Sequence, residues 1–165
     1  MKRLLVFILF FAIASSFLPM TSYGAGVKRF VFYDLTATDK KTGLMWTRDA
    51  NIAGRQMDWD KANDYIKQLN KQKYAGYNDW RLPTGKEFQI LTDWNYDDDG
   101  PRPQEPESTL LNKIGFKNVQ EDFYWSSSTY GISTTYKWRV DMHGGDVFNS
   151  HWNSVGYVWP VRAGQ

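Results

Sequence analysis

Residues 74–84 read Tyr-Ala-Gly-Tyr-Asn-Asp-Trp-Arg-Leu-Pro-Thr, and Glu87 follows three residues later. Pro83 fixes the exit of what reads as a rigid connector. Thr84 and Glu87 have capping-box spacing, so a helix is predicted to begin at Thr84 and to carry Phe88, Leu91 and Trp94 inward. Trp80 and Leu82 are predicted to pack beneath a sheet, with Asp79 and Arg81 bonding to neighbouring backbone. The connector therefore joins two helices instead of alternating helix with strand.

Upstream, Trp59, Ala62, Ile66 and Leu69 recur at helical spacing behind Asp58, a suitable N-cap, and the polar face ends near Asn70. Before that helix, Phe30–Leu35 is an aromatic and β-branched run. A polar turn (Asp39–Gly43) and a second run (Leu44-Met45-Trp46) complete a predicted hairpin. Downstream, Asp97–Glu107 has the acids, glycine and prolines of a loop. From Phe123 the pattern is strand-like. Tyr136, Trp138, Val140 and Met142 alternate with Lys137, Arg139, Asp141 and His143, which predicts one buried and one wet face. Gly144-Gly145 marks a hairpin turn, Asp146–Trp152 the return strand, and Val155–Val161 a closing strand. Grouped helices and strands give an α+β class, with two helices packed on antiparallel sheets and the terminal strands paired.

The first 24 residues have the form of a signal peptide: Met1-Lys2-Arg3, the apolar run Leu4–Ile13, and small residues Ser22 and Gly24 before a cut ahead of Ala25. The apolar run is short for a bilayer span, which needs about 20 residues. Residues 25–165 then form one domain in an exported, periplasmic or surface protein that does not insert in the membrane after cleavage. Lys2 and Arg3 are the only leader charges, so the formal charge falls from +2 to 0 without them. A near-neutral domain argues against nucleic-acid binding through a general basic field. With no cysteine, no disulfide or thiol lipidation is open to it. Aromatic residues make up 17% of the chain, with eight tryptophans, beside a mean hydropathy of −0.57. Large rings must fill the core, and some remain for a binding surface.

Four pieces resemble the Lcl C-terminal domain family, which occurs at the end of a bacterial collagen-like adhesin and in other exported proteins. They are Asp39-Lys-Lys-Thr-Gly-Leu-Met-Trp46, the Trp59/Ala62/Tyr65 helix, the Tyr74–Thr84 connector, and Tyr124-Trp-Ser-Ser-Ser128 with Val161-Arg162. The resemblance implies a C-type-lectin-like fold, with ligands on the loops and strands before the last strand, and suggests polysaccharide ligands. Arg81-Leu-Pro-Thr-Gly-Lys-Glu87 is also similar to the formylglycine-generating enzymes of that fold. Their catalytic cysteines are missing here, so that chemistry is not carried over.

Catalytic and metal readings are weaker. Ser126–Ser128 have His143 and His151 as available bases, but no Gly-x-Ser-x-Gly frame surrounds them. His143 and His151 with Asp141 or Asp146 lack a zinc spacing. Asp97-Asp-Asp-Gly-Pro101 offers oxygens to calcium without the alternating pattern of a calcium loop, and reads as a solvated acidic loop. No catalytic or metal residue and no cofactor is therefore assigned. The expectation is a non-catalytic adhesion or binding module for a glycan or protein. Its ligand face comprises Lys137, Arg139, Asp141 and His143 with Asn149, His151, Trp152 and Asn153. An envelope enzyme and a structural subunit of a surface assembly are the alternatives.

Overall fold

In the computed structural model, residues 28–93, 104–129, 131 and 135–164 are described. The predicted leader (1–24), Trp94 and the acidic run Asp97–Gly100 lie outside them. The chain is α+β, and the described residues form three α-helices and two antiparallel sheets. In the first sheet β1 (Phe30–Phe32), β2 (Thr36–Asp39), β3 (Leu44–Thr47) and β7 (Val161–Ala163) lie in the order β1-β2-β3-β7. The expected closure of the termini is present: Leu44 pairs with Ala163, Met45 with Arg162 and Trp46 with Val161.

The N-terminal hairpin differs from its prediction. The run Phe30–Leu35 breaks after Phe32, and Tyr33-Asp34-Leu35 forms an exposed turn closed by Tyr33 N–H on Thr36 C=O at 2.8 Å. Asp34 disfavours a strand and favours a turn. The next strand, Thr-Ala-Thr-Asp, carries no large apolar residue that periodicity could find, yet it is mostly buried between its neighbours. The predicted closing strand at Val155–Val161 also moves. Gly156 and Tyr157 make single bridges to Met57 and Tyr124, and Val158 and Trp159 are core. Regular pairing in β7 begins after Pro160, which has no N–H to donate.

Helix α1 (Trp59–Lys71) starts as predicted, with the Asp58 carboxylate accepting Lys61 N–H at 2.9 Å, and buries Ala62, Ile66 and Leu69. Helix α2 (Gly85–Leu91) has both halves of the Thr84/Glu87 capping box and buries Phe88 and Leu91. A third helix, α3 (Glu107–Ile114), corrects the two-helix expectation. It buries Glu107 and Ser108 as well as Leu111, so no apolar stripe announced it. Its N-terminus is tied to the chain beyond the strands, Glu107 N–H to His143 C=O and Ser108 N–H to Met142 C=O. It ends at Gly115, where φ is 129°.

The second sheet has the order β4-β5-β6, from β4 (Phe123–Thr129), β5 (Tyr136–Asp141) and β6 (Val147–His151). Side chains of both sheets, α2 and α3 share one core. At its centre the Trp159 ring lies 5.1 Å from Phe116, 5.4 Å from Trp46 and 5.7 Å from Tyr124. Its indole N–H donates to Thr47 C=O at 2.9 Å, satisfying the polar edge of a fully buried ring. Trp46 and Trp125 are core, as expected.

The connector locks these layers together. Arg81 pairs with Val161 through both backbone bonds (2.9 and 3.0 Å), so it occupies the edge of β7 that β3 leaves open. One residue earlier, the Asn70 side chain imitates a strand, accepting Trp80 N–H at 2.7 Å and donating to Trp80 C=O at 2.8 Å. Asp79 and Arg81 use their side chains chiefly in ion pairs, where backbone partners were expected. Asp79 holds Arg162 through two bonds (2.7 and 3.1 Å) and Arg81 holds Glu87 through two (2.8 and 2.6 Å).

Asn70→Ala should strip both Trp80 backbone partners and cost about 2 kcal/mol, a fall in Tm of roughly 5–10 °C. Asn70→Asp, which keeps the acceptor alone, should fall between the two. Thermal unfolding followed by circular dichroism reads both variants; an unchanged Tm for Asn70→Ala would rule out the lock.

Candidate ligand-binding surface

Strand β5 sets the site, because its alternation assigns residues to the two faces of the second sheet. Its register with β4 places Phe123 opposite Asp141 and Trp125 opposite Arg139. With β6, Tyr136 faces His151, Lys137 faces Ser150, Trp138 faces Asn149 and Arg139 faces Phe148. Lys137, Arg139 and Asp141 thus share a face with Phe123, Trp125 and Phe148. Tyr136, Trp138 and Val140 share the other with Asn149, His151 and Val147.

The face predicted to be wet is largely covered. Lys137 is buried at 7% exposure, with its ammonium 4.3 Å from the centre of the Trp59 ring. The Arg139 guanidinium lies 4.1 Å from the Phe123 centroid and 5.4 Å from that of Trp125, and donates to Val155 C=O at 2.8 Å. Its Nε is buried without a hydrogen-bond partner. Burial draws the Arg139 pKa below its ordinary value, with Asp122 acting in the opposite direction. The start of α1 and the segment after β6 meet here, Trp59 N–H donating to Trp152 C=O at 3.0 Å. Both cations lay their stems and charged ends on rings, which alternation of polar and apolar letters cannot reveal.

Conversely, Tyr136, read as inward-facing, is exposed at 43%. Near Val140 and Val147 its face joins the core, but towards Tyr136 and His151 it runs out to solvent. There the Tyr136 and His151 rings lie 5.9 Å apart edge to face, and His151 and Trp152 lie 5.8 Å apart. His151 Nδ1 lies within hydrogen-bonding distance of Asn153 Oδ1, which holds the ring in place. Trp152 is exposed at 39%, while its backbone is held at both ends, N–H to Thr135 C=O (2.9 Å) and C=O to Trp59 N–H. Tyr136, Trp138, Asn149, His151, Trp152 and Asn153 thus form an aromatic and amide ledge. Of the predicted residues it unites Asn149, His151, Trp152 and Asn153, and leaves Lys137, Arg139 and Asp141 on the opposite face. Tyr136 and Trp138 were missed; the exchange in Tyr136 and Lys137 burial has no signal in the sequence.

The remaining chemical candidates are engaged elsewhere. His143 lies beyond the end of β5, its Nδ1 2.7 Å from Glu121, and Asp141 accepts His143 N–H at 2.9 Å. His151 is at the far end of β6. The serines Ser126–Ser128 form a bulge opposite Trp138 alone and stitch β4 to the connector. Ser127 donates through N–H (2.7 Å) and hydroxyl (3.3 Å) to Pro83 C=O, and Ser128 Oγ accepts Gly85 N–H at 3.2 Å. Among the described residues no three His, Asp or Glu side chains are grouped to hold a metal ion, and no helix is long and apolar enough to cross a membrane.

The connector and the serine bulge lie inside residues 35–162, which match the model of the Lcl C-terminal domain. The chain belongs to the Lcl C-terminal domain family. Comparison with curated proteins yields no match. The matched span takes in β2 to α3, the second sheet with its ledge, and the first two residues of β7. In this Lcl C-terminal domain the connector residues Asp79, Trp80 and Arg81, together with Glu87, are therefore joints of the fold, and the ledge stands apart from them.

The hydrogen bond to Glu121 raises the His143 pKa above its ordinary value, so the pair's stabilisation is present below the unfolded imidazole's pKa of about 6.5 and lost as pH rises through the folded value. An NMR titration should place the His143 midpoint above that of a free histidine, and Glu121→Gln should lower it. Equal midpoints in the two proteins would show the pair to be broken in solution.

Proposed function

We propose that this chain is an exported, non-catalytic recognition module of C-type-lectin-like fold that binds a glycan on the ledge. The paired termini, the helices and the two antiparallel sheets are compatible with that fold. The observation that carries the reading is the run of rings Tyr136, His151 and Trp152, the first and last exposed and His151 half-buried between them, flanked by Asn149 and Asn153. A sugar offers an apolar C–H face for stacking and a rim of hydroxyls that amides and an imidazole can both donate to and accept from. The pinned Trp152 backbone lowers the ordering cost of binding. The engagement of Ser126–Ser128 by the connector and the separation of His143 from His151 support the non-catalytic part. Export rests on the form of the first 24 residues.

The test is a glycan array followed by calorimetry on the purified protein. Trp152→Ala and Tyr136→Ala should each weaken binding about tenfold or more. Addition of a calcium chelator should leave binding unchanged. Arg139→Ala should instead lower Tm, since its stacking belongs to the fold. Absence of glycan binding, or affinity indifferent to Trp152→Ala, would sink the proposal and leave a protein ligand as the next candidate.

A further inference from the structure

Among the described residues the outer edge of β6 is engaged only at its end, where Ser154 N–H donates to His151 C=O at 2.9 Å. Bonds from Asp141 N–H to Asp146 C=O and from Trp152 N–H to Thr135 C=O fix the ladder's phase. In that phase Lys137/Ser150 and Arg139/Phe148 are the hydrogen-bonded pairs, whereas Tyr136/His151, Trp138/Asn149 and Val140/Val147 are not. The backbone N–H and C=O groups of Val147, Asn149 and His151 therefore face away from β5. Among the described residues no other strand pairs with that edge. Soluble proteins blunt such edges with lysine, proline, a bulge or a covering element. Strand β6 reads Val-Phe-Asn-Ser-His, with no proline and no formal charge at neutral pH, and its register with β5 is unbroken. Phe148 stands beside the edge, exposed at 45%, one side of its ring against Phe123 at 5.8 Å.

We infer that this edge is a self-association surface, on which β6 of a second copy of the chain adds antiparallel about a two-fold axis through Asn149. The outward residues are symmetric about that centre. Val147 then meets the partner's His151, and Asn149 meets the partner's Asn149, each as a hydrogen-bonded pair. The outward groups of Val147 and Asn149 and the His151 N–H gain partners at once, and the His151 C=O adds a second bond to the one it accepts from Ser154 N–H at 2.9 Å. Phe148 falls opposite the partner's Ser150, a small side chain that leaves room for the ring. A charged strand would repel its own copy across such an axis, and this neutral one does not. A two-fold of this kind lies perpendicular to the sheet. It joins two three-stranded sheets into one of six and puts both ledges on the same side, so that a repeating ligand could be held at two points.

The test is sedimentation equilibrium of the purified protein and of two variants at the axis, Asn149→Asp and Asn149→Lys. Asn149 is exposed and its backbone bonds nothing in β5, so both variants should keep the parent Tm. The parent should form a dimer in a concentration-dependent way. Each variant alone should dimerise about tenfold more weakly, because like charges meet at the axis. An equimolar mixture of the two should form a heterodimer. A parent monomeric at every concentration, a dimer indifferent to either charge, or a mixture no tighter than its components would overturn the inference. The readout is mass alone, so it stands or falls independently of glycan binding.

Discussion

The bidentate pair between Asp79 and Arg162 is the constraint on which the architecture turns. Arg162 lies in β7, with its side chain almost wholly buried, its guanidinium 3.9 Å from the Tyr77 ring centre and one nitrogen 3.7 Å from the Met45 sulfur. A buried cation with one carboxylate partner makes that partner hard to replace. Half of Asp79 is solvent-exposed, so screening reduces what the pair itself contributes; its larger effect is to fix position. With Asp79 held, Trp80 is delivered to Asn70, and Arg81 reaches both the edge of β7 and Glu87. Arg162 holds the Asp79 pKa below its ordinary value, so the pair's contribution is complete above about pH 4 and lost as pH falls through the lowered value. One short connector thus ties the helices to the strand that closes the chain.

Without cysteine, the domain is cross-braced by rings and cations. Aromatic pairs in the main core meet edge to face or tilted, the geometry that ring quadrupoles favour. Arg162 on Tyr77, Arg139 on Phe123 and Lys137 on Trp59 extend the same chemistry to places where a residue must span core and surface. Arg29 does comparable work at the other end of the fold, where it bonds the Asp39 carboxylate through two nitrogens and reaches the Ile90 carbonyl at the end of α2. Several cations are thus spent inside the fold, while most of the described lysines stay at the surface.

Much of this was legible in the sequence, and the exceptions share a cause. The α+β order, the Asp58 cap, the capping box at Thr84 and the pairing of the early and final strands all rest on local chemistry that one chain displays. Strand β2 and helix α3 were invisible because their burial is imposed from outside: Thr-Ala-Thr-Asp is covered by flanking strands, and Glu107 and Ser108 by the turn at Met142–His143. The ligand face was half legible for the same reason. Alternation in β5 correctly separated Lys137 and Arg139 from Tyr136 and Trp138. It could not say which set would be covered, since that depends on Trp59 and Trp152, which lie far from β5 or follow the next strand.

That division also explains how one sheet can serve both stability and recognition. At the Val140 and Val147 end the sheet is core, and substitution there would leave cavities. At the Tyr136 and His151 end the backbone is fixed by ladder bonds and by the Trp59–Trp152–Thr135 chain of hydrogen bonds, none of which uses a ledge side chain. Those backbone bonds do not depend on which side chains the ledge carries, and a surface on a rigid backbone is where specificity can diverge within a fold. The residues that join the layers and those that form the ledge are, for this physical reason, different residues.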